Sequence, residues 1–215
     1  MPLREALVFF GCLVAAVILH EISHGVVALW FGDDTAKRAG RLTLNPLPHI
    51  DPFGSIILPA MGALTGLPVI GFAKPVPVNP ARLRHPRRDM LFVSLAGPTT
   101  NFLLMAVAAL ATRTLLHGGG FLGSNIGSEG PSLMVQILFA FAVVNLFLGL
   151  FNLLPIPPLD GSALVERVLP SRWLPTWYRF RPYGFLVLVI LVISTNVVGR
   201  ILEPFFDALR DFVVT

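Results

Sequence analysis

Of the 215 residues, 54% are hydrophobic and only 13% charged, against about 25% charged in an ordinary soluble domain, so the chain lacks the polar surface to coat a water-soluble globule. The net charge of +4 is small and its basic residues bunch in residues 74–88, a pattern that suits a cytoplasmic loop touching lipid headgroups and gives no nucleic-acid footprint. A single cysteine, Cys12, excludes an intramolecular disulfide and a thiolate metal cluster; it reads as a small apolar residue of a membrane helix.

The first apolar run, residues 6–31, contains nothing more polar than glycine except His20, Glu21, Ser23 and His24. A helix needs about 20 apolar residues to cross a hydrocarbon core of roughly 30 Å, so this run spans. It exceeds the roughly 7–15 apolar residues of a signal peptide and is expected to stay as an uncleaved anchor. Gly32, Asp33 and Asp34 end it. Residues 35–53 are too polar to cross, and the alternation of Arg41, Leu42, Thr43 and Leu44 predicts a short strand closed by Asn45-Pro46.

Residues 54–73 are apolar but interrupted by Gly54, Pro59, Gly62, Gly66, Pro68 and Gly71, which predicts a broken or re-entrant segment, buried in protein or lining a wet cavity. The Pro-rich basic loop 74–89 leads to a span at 91–112. A Gly-rich, almost uncharged loop, 117–131, precedes a span at 133–154, and a second basic loop, 166–181, precedes a last span at about 183–199. Residues 200–214 keep apolar side chains at Ile201, Phe205, Phe206, Leu209, Phe212 and Val213, as in a helix lying at the interface. The expectation is an all-α polytopic membrane protein, one domain over residues 1–215. The two basic loops are cytoplasmic by the positive-inside rule.

His20 and His24 are four residues apart, one above the other on a helix face, so they can share one metal ion. Glu21 sits about 100° round the axis, placed to hold a water without being a ligand. Ionisable groups at membrane depth cost about 2.5 kcal/mol or more and mark function. Zinc on two imidazoles needs a third protein ligand and an open position. It lowers the pKa of a water toward ~7 and polarises a carbonyl, while Glu21 moves the proton. Asp160, just past a span in Pro-Pro-Leu-Asp-Gly, is one third ligand, although such a turn also lets aspartate bond its own backbone. Asp51, close to His49, is the rival, and that pair also suits loop closure. Asn101 follows Pro98 by three residues and can bond the carbonyl that the proline frees, or face a developing oxyanion. Asn145 and Asn152 share a helix face, as in bonding between helices.

HEISHG at 20–25, AGPTTN at 96–101 and NLLPIPPLDG at 152–161 together resemble the site-2 protease family of intramembrane zinc metalloproteases. GRLTLNPLPHIDPFGS and GFAKPVPVNP are similar to its small bacterial branch without PDZ or CBS domains. The resemblance implies a site-2 protease-like core with a short membrane-associated β segment at residues 41–44, and one Zn2+ held by His20, His24 and Asp160. It also implies Glu21 as the general base, and Asn101 and Asn152 near a transmembrane protein or peptide substrate. It places the protein in a bacterial cytoplasmic membrane with its site nearer the cytoplasm. The first helix then runs outside to inside, and residues 54–73 re-enter. A catalytically silent scaffold or chaperone for transmembrane helices is the alternative, and retention of Glu21 beside both histidines argues against it. A metal transporter would repeat ligands along several spans.

Overall fold

In the computed structural model, the described residues are 3–57, 61, 64, 73–117, 131–194 and 196–215. The first apolar run forms helix α1, Leu3–Trp30. Its buried stripe repeats every four residues through Cys12, Ala16, His20, His24 and Ala28, so the histidines occupy the same face as the small residues that let helices approach closely in a membrane. Gly32, at φ 105, ends the helix: its N–H reaches Leu29 O at 3.1 Å and Asp33 N–H reaches Ala28 O at 2.9 Å, a Schellman closure that needs a left-handed residue.

Helices α3, Pro86–His117, and α4, Leu133–Asn152, complete a three-helix bundle with α1; the short α2 is Thr35–Arg38. These three long helices are apolar enough to cross a membrane. Cys12 and Ala16 pack on Val144, and Ala28 packs on Leu83 and Val93, while Leu7, Phe10, Leu103, Val107 and Met134 stay exposed on the outside. Beyond α4 come the short helices α5, Ser162–Val168, and α6, Leu174–Phe180.

The last span differs from expectation. Helix α7, Gly184–Ser194, has 11 residues and at about 1.5 Å per residue is too short to cross alone. It is followed by one helix, α8, Val197–Val214, and the run Ser171–Val192 meets it at 72°. Thus a fourth span exists only as a bent pair. The strongly amphipathic α8 docks Leu209 and Val213 on Ala108, Ala109, Ala142 and Leu146, leaving Ile201, Phe205 and Phe212 exposed. Arg113 donates to Phe212 O and His117 Nε2 to Val213 O, so two basic side chains of α3 cap the α8 C-terminus.

No strand is present among the described residues. Residues 42–44 are bends and Arg41 is irregular, because an extended segment with no partner strand among the described residues has no ladder to stabilise it; Arg41 turns inward and donates to Lys74 O at 2.6 Å. A π-helical turn, Pro52–Ile57, begins the apolar segment. Most of residues 54–73, where the sequence predicts a re-entrant segment, lies outside the described residues.

The end of α1 and the start of α3 meet. Arg84 N–H reaches Phe31 O at 3.1 Å and Arg82 pairs with Asp34 at 2.7 Å, so residues 31–85 leave and return at one end of the bundle. The second basic loop joins that end, since Arg87 at the start of α3 donates to Leu169 O at 2.7 Å and Glu166 O at 3.1 Å.

Asp33 clasps this end. Fully buried, it accepts from Thr35 N–H at 3.0 Å, from Asn79 N–H at 2.6 Å and from the Thr35 hydroxyl. Burial pushes its carboxyl up, but the Thr35 and Asn79 donors and the nearby Arg82 guanidinium outweigh that and hold it below its ordinary 3.8. Asp33→Asn turns an amide donor onto a donor and is expected to cost about 1–3 kcal/mol in thermal unfolding in detergent. Because the folded value is depressed, the wild-type contribution is complete above pH 3.8 and is lost as pH falls through the lower folded value.

Candidate metal centre

Three elements bring the polar groups together. α1 carries His20 and His24 inward. α3 supplies a surface for them at Gly97, where an added Cβ would lie 2.5 Å from His20 Nε2 and 2.6 Å from His24 Nε2; only the absence of a side chain lets both rings reach this depth. The loop after α4 turns back on itself, with Gly161 N–H on Asn152 O at 2.7 Å, and presents Asp160. A Cβ on Gly161 would collide with the Leu153 and Leu154 carbonyls, so that turn too requires glycine.

Asp160 Oδ2 lies 3.1 Å from His20 Nε2 and 3.4 Å from His24 Nε2, and the two Nε2 atoms are 3.0 Å apart. The far side of each ring faces an oxygen: His20 Nδ1 is 2.5 Å from Asn101 Oδ1, and His24 Nδ1 is 2.7 Å from Val93 O. Backbone and amide oxygens accept, so both Nδ1 atoms donate and both Nε2 atoms present lone pairs. Asp160 Oδ2 is buried and receives no hydrogen bond. Three acceptor atoms thus confront one another in the interior, an arrangement that repels itself unless a metal ion or a proton sits among them.

The spacing fits such an ion. Tetrahedral bonds of about 2.0–2.1 Å place ligand atoms about 3.3–3.4 Å apart, near the 3.0–3.4 Å observed. Two neutral imidazoles and a carboxylate are also a donor set that zinc takes, with a position left open. Among the described residues these three offer ligand atoms within 4.8 Å of one another.

Glu21, half-buried beside them, accepts from Val76 N–H at 2.7 Å through Oε2, leaving Oε1 without that bond. Ser23 donates to His20 O at 2.6 Å within α1. Asp51 is outside the cluster: it accepts from Gly54 N–H at 2.7 Å, and His49 Nε2 donates to Thr43 O at 3.0 Å, so this pair closes the loop. Asn101 is fully buried, bonded to His20 and, through Nδ2, to Asn145 Oδ1 at 2.8 Å. Its amide is spent on those two partners. Asn152 donates to Leu148 O of its own helix at 3.0 Å; of the two α4 asparagines, Asn145 bonds across to another helix.

Sequence reasoning missed the Val93 carbonyl on His24 and the Val76 amide on Glu21. Neither has a residue-type signal, because any residue carries those backbone groups. Gly97 did carry one, a glycine inside an apolar span.

The chain is similar to known metallopeptidases. The sequence profile described as Peptidase family M50 matches residues 124–194, which include Asn152 and Asp160. A Bacillus subtilis protein named "Putative zinc metalloprotease YwhC" is 38% identical over 202 residues, covering 94% of this chain and 87% of its own length. Proteins named "Putative zinc metalloprotease Rip2" are 32% identical in Mycolicibacterium smegmatis, over 87% of this chain and 67% of that protein, and 32% identical in Mycobacterium tuberculosis, over 92% and 72%. The chain therefore belongs to peptidase family M50, the site-2 protease family. No solved structure matches it.

Gly97→Ala is expected to push both imidazoles off their present positions and weaken zinc binding about 10–100-fold, the usual cost of disturbing groups that support ligands. Chelator competition on the purified protein checks this.

Proposed function

We propose that the protein is a zinc-dependent endopeptidase that hydrolyses peptide bonds in or near transmembrane segments of other proteins. Family membership supports the peptidase chemistry. The single observation that carries the reading is the convergence of the His20, His24 and Asp160 lone pairs on one buried point. In this reading those residues hold one Zn2+. When bound, zinc supplies Lewis acidity, lowering the pKa of a water toward ~7 and polarising the scissile carbonyl.

The chain's own groups do the rest. Glu21, one residue from a ligand and anchored at Oε2 by the Val76 amide, takes a proton from water and delivers it to the leaving amine. The amide bond confines its carboxylate to one side of α1 without occupying Oε1. Asn101 orients His20 from behind. Asn152, whose carbonyl closes the Asp160 turn by accepting from Gly161 N–H, is assigned in this reading to the neighbourhood of substrate. Apolar walls on α1, α3 and α4 exclude bulk water, which strengthens each of these interactions.

The substrate is an apolar transmembrane segment, and the surrounding lipid is its source. Three membrane-length helices support an integral membrane location. The site lies in the halves of α1 and α3 that point to the two basic loops, so by the positive-inside rule it is nearer the cytoplasm. Residues 31–85 start and finish at that same end, which supports a re-entrant course for 54–73.

Glu21→Gln is expected to retain zinc and to lose about 10²–10⁴-fold in cleavage of a transmembrane peptide, whereas Asp160→Asn loses zinc as well. Wild type that binds zinc but cuts no such peptide would instead favour the helix-binding scaffold. Orientation is read separately: a cysteine introduced near Lys37 is expected to react with membrane-impermeant reagent only from the cytoplasmic side.

A further inference from the structure

Behind His20 runs a buried polar chain that crosses all three membrane-length helices, and it has a direction. Phe141 O on α4 can only accept, so Asn145 turns its Nδ2 to it, at 2.8 Å. Asn145 Oδ1 then faces α3 and accepts from Asn101 Nδ2 at 2.8 Å. Asn101 Oδ1, the end left over, faces α1 and meets His20 Nδ1 at 2.5 Å. Turning either amide over would set donor against donor or acceptor against acceptor, with both asparagines at 0% exposure and His20 at 6%. So deep in the bundle, an unmatched polar pair is costly.

We propose that Asn145 is a positioning residue of the metal centre. The Phe141 carbonyl sets the polarity of its amide, Asn101 transmits that polarity, and His20 is thereby fixed with its proton on Nδ1 and its lone pair at Nε2, beside Asp160. Asn145 touches neither ligand atoms nor substrate. It acts through Asn101, on a different helix from the one it controls. Without it, the Asn101 amide is free to rotate by half a turn and offer Nδ2 to the ring. His20 Nδ1 then accepts, its proton moves to Nε2, and a hydrogen occupies the direction in which the lone pair pointed. His24 has its own anchor at Val93 O and keeps its tautomer. This inference rests on the zinc reading of the site only for its effect on affinity; the Nδ1 hydrogen bond to Asn101 belongs to the chain itself.

Full-length protein in detergent, labelled with ring-15N histidine and freed of zinc, gives the direct readout. Wild-type His20 is expected to carry a proton on Nδ1, held by Asn101 Oδ1, and Asn145→Leu to lose it from that atom. Zinc affinity from chelator competition is expected to fall about 10–100-fold in Asn145→Leu. In an Asn101→Leu background the same substitution is expected to add nothing, because the link it works through is already cut. Wild-type His20 without a proton on Nδ1 would overturn the proposal without any variant. So would unchanged zinc affinity in Asn145→Leu, or a loss that adds in full to that of Asn101→Leu. A wild type that binds no zinc would refute the metal reading while leaving the tautomer measurement to decide the relay.

Discussion

Three lone pairs facing one another away from water form the constraint on which the rest of the molecule depends. His20 Nε2, His24 Nε2 and Asp160 Oδ2 stand 3.0–3.4 Å apart, and the fold holds them there. It does so with hydrogen bonds from behind, to Asn101 and to Val93 O, and with a glycine in front, at Gly97. Packing and polarity serve the same end. The stripe of small residues on α1 that brings α3 and α4 close is also the stripe that bears the histidines.

The division of labour among the helices follows. α1 supplies two ligand atoms and the carboxylate of Glu21, and α4 supplies the turn that carries Asp160. α3, wedged between them, supplies no ligand but touches both histidines and is joined to α4 by the Asn101–Asn145 bond. The loop of residues 74–79 lies on the other side of α1, tied to Asp33 through Asn79 and to Glu21 through Val76. An irregular, Pro-rich segment is well suited to that position: with Pro75 and Pro77 lacking N–H groups, few donors compete for the carboxylate that Val76 binds.

Much of this was legible in the sequence, for a physical reason. Polar residues inside an apolar run are costly, so His20, Glu21, His24, Asn101 and Asn145 announced themselves by being there. Span lengths set by bilayer thickness gave α1, α3 and α4 within a few residues. Contacts made by backbone groups were not legible, since Val76 N–H and Val93 O leave no mark on residue identity. The strand expected at residues 41–44 failed because alternation specifies a face and not a partner. The break in the last apolar stretch was hidden for a related reason. Apolar composition continues from α7 into α8, but hydrophobicity along the chain does not reveal a bend of 72°.

The ligand set is dispersed along the chain, and this bears on biosynthesis. The histidines and Glu21 are made first, and Asp160 only after α3 and α4 have been synthesised and the turn following α4 has closed on Asn152. A nascent chain inserted as far as α3 therefore has His20, Glu21 and His24 but not Asp160. The three atoms come together only when the bundle is whole.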